Sequence, residues 1–282
     1  MGITRRLASI GTALSIAAIS LASCTPQPVG PASRCTANAI ALTCPYNTIE
    51  LNAGGIGRTV LWQVPRGDAP AGGWPVAIMF QGTAASPALT WAATPLEPFG
   101  AYAQTQVVQR LLDNGFAVLT PATHLGGFTF WDTNNPLVGD YYASNDHAFM
   151  LSIFAAINSG AFGVSDPSRL FATGISSGGY MTSRMAVSYP GRFRALAIAA
   201  GSYATCAGIL CNVGPIGADH PPTLFLHGLL DPVVPIITME AYAAKLAAAG
   251  VPTRKVIEAT ALHRWIAASP DEVLAWFRTY DD

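Results

Sequence analysis

Apolar runs with strand character recur along this chain of 282 residues, at Thr59 to Val64, Val76 to Phe80, Phe116 to Thr120, Leu170 to Thr173, Ala195 to Ala199, Thr223 to Leu226 and Lys255 to Glu258. Between many of them the period changes. Tyr102 to Asn114, His147 to Asn158, Tyr180 to Tyr189, Met239 to Ala249 and Pro270 to Tyr280 carry apolar residues at helical spacing, and Gly115 and Gly250 stand where helices end. Strands alternating with helices predict a mostly parallel sheet covered on both faces. In such sheets functional groups gather at the carboxyl ends of the strands. Ser176, the loop from His227 to Asp231, and His263 all fall there.

Ser176 lies in Leu170-Phe171-Ala172-Thr173-Gly174-Ile175-Ser176-Ser177-Gly178-Gly179-Tyr180-Met181, where a strand pattern meets a G-x-S-x-G turn and then a helix pattern. A nucleophile presented this way perches on a tight, strained turn, and Gly174 and Gly178 are the residue type that lets neighbouring backbone approach closely. A serine hydroxyl attacks only when a histidine takes its proton, and that histidine needs a carboxylate to fix its tautomer. Where the nucleophile sits on a strand-to-helix elbow, the acid and then the histidine follow it along the chain.

Asp231 satisfies the order, just beyond the strand Thr223 to Leu226, whereas Asp219 precedes that strand and Asp271 opens the last helix, where the helix dipole accounts for it. Of the five histidines, His263 alone follows Asp231. His227 reads as a strand-end cap or a brace for Asp231, and His124, His147 and His220 carry no positional argument. The expected catalytic set is therefore Ser176, Asp231 and His263. The oxyanion donors expected with it are the amides of Ser177 and of Thr83, with Gly82 the alternative to Thr83. The chemistry requires no metal or cofactor.

At the N-terminus, Arg5 and Arg6 precede an apolar stretch from Leu7 to Leu21, too short for an ordinary membrane span, which reads as an export signal over residues 1–23. Residues 24–34, with Pro26, Pro28 and Pro31, read as a tether, and residues 35–282 as a single catalytic domain. Only 11% of residues are charged and no basic run is present, so nucleic acid is not an expected partner. Besides Cys24, the chain has Cys35, Cys44, Cys206 and Cys211. In an oxidising compartment these predict two disulfides. Pairing Cys35 with Cys44 and Cys206 with Cys211 closes short loops, although four cysteines allow three connectivities. A zinc site fits less well, because C-x-x-C pairs and a histidine cluster are missing.

The segment Leu21-Ala22-Ser23-Cys24 resembles the lipobox of bacterial lipoproteins, which implies lipidation at Cys24 and a membrane association only through that anchor; the alternative is ordinary signal cleavage nearby. The runs Gly174-Ile175-Ser176-Ser177-Gly178-Gly179-Tyr180-Met181 and Tyr189-Pro190-Gly191-Arg192-Phe193, the His227-Gly228 to Asp231 loop and His263-Arg264-Trp265 together resemble the polyhydroxyalkanoate depolymerase and esterase superfamily of α/β-hydrolases. The Gly-Ile-Ser-Ser-Gly form, with Phe130-Trp131-Asp132-Thr133-Asn134 and no appended binding domain, resembles extracellular depolymerases of medium-chain-length polyhydroxyalkanoates. That resemblance implies an exported serine hydrolase, secreted or anchored at the cell surface, that cleaves a hydrophobic, water-insoluble polyester. Gln81 departs from the pattern, standing where many relatives carry histidine. Phe130 and Trp131, with Phe128, Trp91, Tyr141 and Tyr142 near them, are candidates to grip alkyl side chains of the polymer. The alternatives are a carboxylesterase acting on small or polysaccharide-linked esters, and a non-catalytic surface lipoprotein on a hydrolase scaffold.

Overall fold

A computed structural model of the chain describes residues 1–2, 33–124, 130–134, 139–207 and 209–282. Residues 3–23 of the expected export segment, Cys24, most of the expected tether and Phe128 lie outside the described residues. In chain order the elements are β1 (Thr36–Ala37), β2 (Leu42–Thr43), β3 (Asn47–Ala53), β4 (Ile56–Gln63), β5 (Trp74–Phe80), β6 (Ala92–Ala93), α1 (Ala101–Asp113), β7 (Ala117–Pro121) and α2 (Asn145–Asn158). The second half adds β8 (Ser165–Ile175), α3 (Ser177–Ser188), β9 (Phe193–Ala199), β10 (Thr223–Gly228), α4 (Ile236–Ala248), β11 (Thr253–Glu258) and α5 (Ser269–Thr279).

Eight strands form one sheet in the order β11-β10-β9-β8-β5-β7-β4-β3. From β11 to β7 every pairing is parallel, and β4 and β3 continue antiparallel at the edge. The small strands β1, β2 and β6 pair separately. Each predicted strand and helix is found within a few residues of its expected span. The pattern missed β3, because it is an edge strand with a half-exposed face and the sequence Asn-Thr-Ile-Glu-Leu-Asn-Ala.

Side chains on β5 alternate strictly between the two faces. Ala77 and Met79 join the layer under α1 and α5, with Val107, Leu111, Val273 and Phe277. Val76, Ile78 and Phe80 join the opposite layer under α2 and α3, with Phe149, Ile153, Met181 and Met185. A two-residue period with both faces apolar is what a sheet between helix layers requires. The consequence for the site is topological. All parallel strands point the same way, so the loops after β5, β8, β10 and β11 open on one rim.

Both local cysteine pairings are present, Cys35 to Cys44 and Cys206 to Cys211. The second closes the loop after β9, where Ser202 Oγ also donates to the Thr238 carbonyl of α4 at 2.8 Å.

Candidate active site

Between the last residue of β8 and the first of α3 stands Ser176 alone, at φ 56° and ψ −123°. A non-glycine residue holds such a conformation only when its surroundings enforce it. Here the Ser176 amide donates to the Ala199 carbonyl at 3.1 Å, and the Ser176 carbonyl accepts from the Tyr180 amide at 3.0 Å. Its side chain makes no capping hydrogen bond to α3, so the hydroxyl is not spent on the helix. The flanking glycines are a packing requirement. A Cβ on Gly178 would lie 2.1 Å from the Phe80 carbonyl oxygen, and one on Gly174 would lie 2.5 Å from that of Gly178.

Asp231 and His263 meet at the end of β10 and β11. His263 Nδ1 lies 2.8 Å from Asp231 Oδ2, while Asp231 Oδ1 accepts from the amides of Val233 at 2.8 Å and Val234 at 2.9 Å. Burial works to raise the Asp231 carboxyl, but the hydrogen bonds from His263, Val234 and Val233 outweigh it and hold the group below the usual carboxylate range. An ionised Asp231 fixes the proton of His263 on Nδ1, which leaves Nε2 as the ring's proton acceptor.

Gly228 allows the two loops to pack. A Cβ there would fall 2.3 Å from the Leu262 carbonyl oxygen, and the Leu230 amide donates to the Ala261 carbonyl at 3.0 Å. His227 is fully buried, and its Nε2–H donates to the Val234 carbonyl at 2.9 Å. Burial drives its pKa down from the ordinary histidine value, so it is a neutral brace for the turn that carries Asp231.

The other side of Ser176 is formed by the segment after β5. A Cβ on Gly82 would lie 3.6 Å from that of Ser176, which brings the Gln81-Gly82-Thr83 backbone alongside the serine. The turn is tight: Ala84 has φ 60°, and the Gly82 carbonyl accepts from the Ala85 amide at 3.3 Å. Gln81, the departure from the family pattern, is buried and donates to the Ala85 carbonyl and to Thr123 Oγ1. It ties the turn from beneath. Ser177 opens α3, and its Oγ accepts from the Trp131 amide at 2.9 Å.

The aromatic candidates divide, and three require correction. Trp131 has 0% exposure, Trp91 is equally buried with its Nε1–H on Thr120 Oγ1, and Tyr141 is buried against Tyr189. A buried indole can satisfy its N–H only on a neighbouring acceptor, and both tryptophans do so inside the protein. Phe130 and Tyr142 are exposed. The remaining histidines are engaged elsewhere: His147 with the Tyr189 hydroxyl, His220 with that of Tyr242, and His124 with Asp132. Asp271 is an exposed partner of Arg110. Among the described residues, no group of three or more His, Cys, Asp or Glu is arranged to hold a metal ion.

Sequence reasoning passed over Phe99. It is 62% exposed, has φ 56°, and meets the His263 ring edge-on with centroids 6.2 Å apart. Its carbonyl accepts from the Trp265 amide at 2.9 Å, which joins this turn to the loop that carries His263. No residue pattern announces such a contact, since Phe99 and His263 are far apart in the chain.

The chain is 45% identical over 269 residues to the poly(3-hydroxyoctanoate) depolymerase of Pseudomonas fluorescens, a match covering 92% of this chain and 96% of that one. The chain belongs to the polyhydroxyalkanoate depolymerase family. It is thus a carboxylic ester hydrolase, and its two disulfides fit an extracellular protein. No family model matches the chain. Among solved structures, an arylesterase superimposes with a TM-score of 0.56 at 14% identity, covering 85% of this chain and 86% of that one. An acylaminoacyl peptidase of Pyrococcus horikoshii gives a TM-score of 0.57 at 14% identity, covering 84% of this chain and 40% of that one. At such identities the likeness concerns the fold, which is that of the α/β-hydrolases.

Proposed function

We propose that this chain is an exported serine depolymerase of a water-insoluble polyester, a medium-chain-length polyhydroxyalkanoate. Ser176 attacks the ester carbonyl while His263 Nε2 takes its proton and Asp231 stabilises the resulting imidazolium. The tetrahedral oxyanion is received by the amides of Ser177 and Thr83. His263 then returns the proton to the departing alcohol, and a water deprotonated by the same ring releases the acyl group from Ser176. The observation that carries this reading is the Asp231–His263 pair at 2.8 Å, on the rim where the strained Ser176 turn also ends.

Support for an insoluble substrate comes from the same loops. Leu229, Leu230 and Val233 flank Asp231, Leu262 precedes His263, and Phe99 lies against it, and all five are exposed large apolar side chains. A rim of this kind favours adsorption to an apolar surface. The segment up to Ser23 directs export, and Cys24 supplies a lipid anchor if it is acylated; otherwise the protein is released. Purified protein should clear a medium-chain polyhydroxyalkanoate latex and hydrolyse a soluble p-nitrophenyl ester, and Ser176→Ala should abolish both. Ester hydrolysis without clearing would redirect the assignment to a carboxylesterase. Activity surviving in Ser176→Ala would remove the serine mechanism.

A further inference from the structure

Trp131, first considered for the substrate surface, is placed instead between the two segments that carry the oxyanion donors. Its backbone N–H donates to Ser177 Oγ at 2.9 Å, and its indole Nε1–H donates to the Gln81 carbonyl at 2.9 Å. The two acceptors belong to different parts of the chain, one at the start of α3 and the other just past β5. Those strands are registered only as far as Phe80 opposite Gly174. Beyond that point the sheet ladder no longer registers the Ser177 and Thr83 backbones; the two segments still touch where Gly178 packs against the Phe80 and Gln81 carbonyls, and Trp131 adds a hydrogen-bonded tie between them.

The residue is itself held from behind. Its ring packs edge-on against Phe80, with centroids 5.1 Å apart. The next amide, of Asp132, donates to Asp146 Oδ2 at 2.6 Å, and Asp146 Oδ1 is 2.6 Å from Arg58 Nη1 in a fully buried ion pair. Arg58 Nη2 donates in turn to the Ala122 carbonyl at 2.7 Å. One residue further along, Thr133 receives Arg184 of α3, whose Nε donates to Oγ1 and Nη2 to the carbonyl, both at 2.8 Å. A segment fixed on three sides has little freedom to follow the substrate. Transition-state stabilisation by fixed donors depends on that lack of freedom, since donors that must reorganise contribute less.

We propose that Trp131 is a positioning residue for the reaction, setting the spacing of the Ser177 and Thr83 amides without touching substrate. The inference rests on the oxyanion assignment made above. Trp131→Phe keeps an aromatic ring and removes the indole donor, and Ser177→Ala keeps the amide and removes the acceptor for the Trp131 N–H. Each variant would be titrated with a fluorophosphonate to count reactive serines, then assayed on a soluble p-nitrophenyl ester and for inhibition by phenylboronic acid, which mimics the tetrahedral state.

Each single variant should lose about tenfold in kcat per titrated serine, with KM within about twofold and boronate affinity weakened in parallel. The double variant should lose little more than either single one, because both bonds serve one brace. A wild-type kcat per reactive serine, or a loss explained by fewer titratable sites alone, would overturn the positioning role. If the Trp131→Phe protein does not fold, Ser177→Ala decides the matter by the same readouts. Failure of the underlying reading looks different: Ser176→Ala would then retain turnover, or boronate would bind the wild-type protein no more tightly than a neutral phenyl compound.

Discussion

On one flank of Ser176 the loops after β10 and β11 present Leu229, Leu230, Val233 and Leu262 to solvent, whereas on the other flank Trp131, Asp132, Thr133, Arg58 and Asp146 are all buried. The first flank has a small polar centre, Asp231 with His263, inside an apolar margin. The second is polar at its heart and has its hydrogen bonds directed inward, from Trp131 to Ser177 and Gln81 and from Arg58 to Asp146. The division matches the work proposed for each side. Proton transfer and contact with a large apolar substrate need an accessible surface, whereas oxyanion stabilisation needs amides that do not move.

The largest effect is expected on the exposed flank. Asp231→Asn keeps the shape of the turn but no longer holds the His263 proton on Nδ1, and kcat on a soluble ester should fall about 10⁴-fold with little change in KM. Steady-state kinetics decide it, and a loss below tenfold would show that the two flanks are not divided as described. On the buried flank the expected effect is on stability. Arg58→Met removes one half of a buried pair and should cost about 3–5 kcal/mol in urea unfolding at neutral pH.

The pH dependence of that cost has a definite sign. Burial already raises the Asp146 carboxyl from its usual value, against the opposing pull of Arg58. Without Arg58 it rises further, so the folded variant binds a proton that the unfolded chain gives up above the ordinary carboxylate range. Its deficit should narrow as the pH is lowered and widen as the pH is raised. Equal deficits at pH 5 and pH 8 would mean that the charge of Asp146 is not the cause. The smallest effect concerns the apolar margin. Changing Phe99, Val233 and Leu262 together to serine should lower the ratio of latex clearing to soluble-ester turnover about tenfold, by weakening adsorption more than chemistry. A ratio that stays constant would detach the margin from the substrate.

Much of the frame was legible because it rests on local chemistry. The two-residue period of Val76 to Phe80 and the helical periods that alternate with the strands reflect burial on each face of a sheet, and burial is written in residue type. The elbow at Ser176 could be read for the same reason: Gly174 and Gly178 stand where backbone from β5 passes within contact distance. Asp231 and His263 were found through chain order, and their contact at 2.8 Å is what the tertiary structure adds. Edge strand β3 was missed, since half-exposed positions leave a weak pattern.

Trp131 marks the boundary between the two kinds of information. Its sequence neighbourhood, an aromatic run just after Gly126-Gly127, fits a surface grip and a buried brace equally well. Only the folded chain decides, because the acceptors of its two N–H groups come from Gln81 and Ser177, some 50 and 46 positions away. The sequence by itself determined the strand and helix order, the strained serine turn and the identity of the acid and base candidates, all of which follow from local periodicity and chain order. The tertiary structure decided which aromatic side chains meet solvent, which meet one another, and which tie the start of α3 to the segment after β5, because burial and hydrogen-bond partnership at long range are properties of the packed chain.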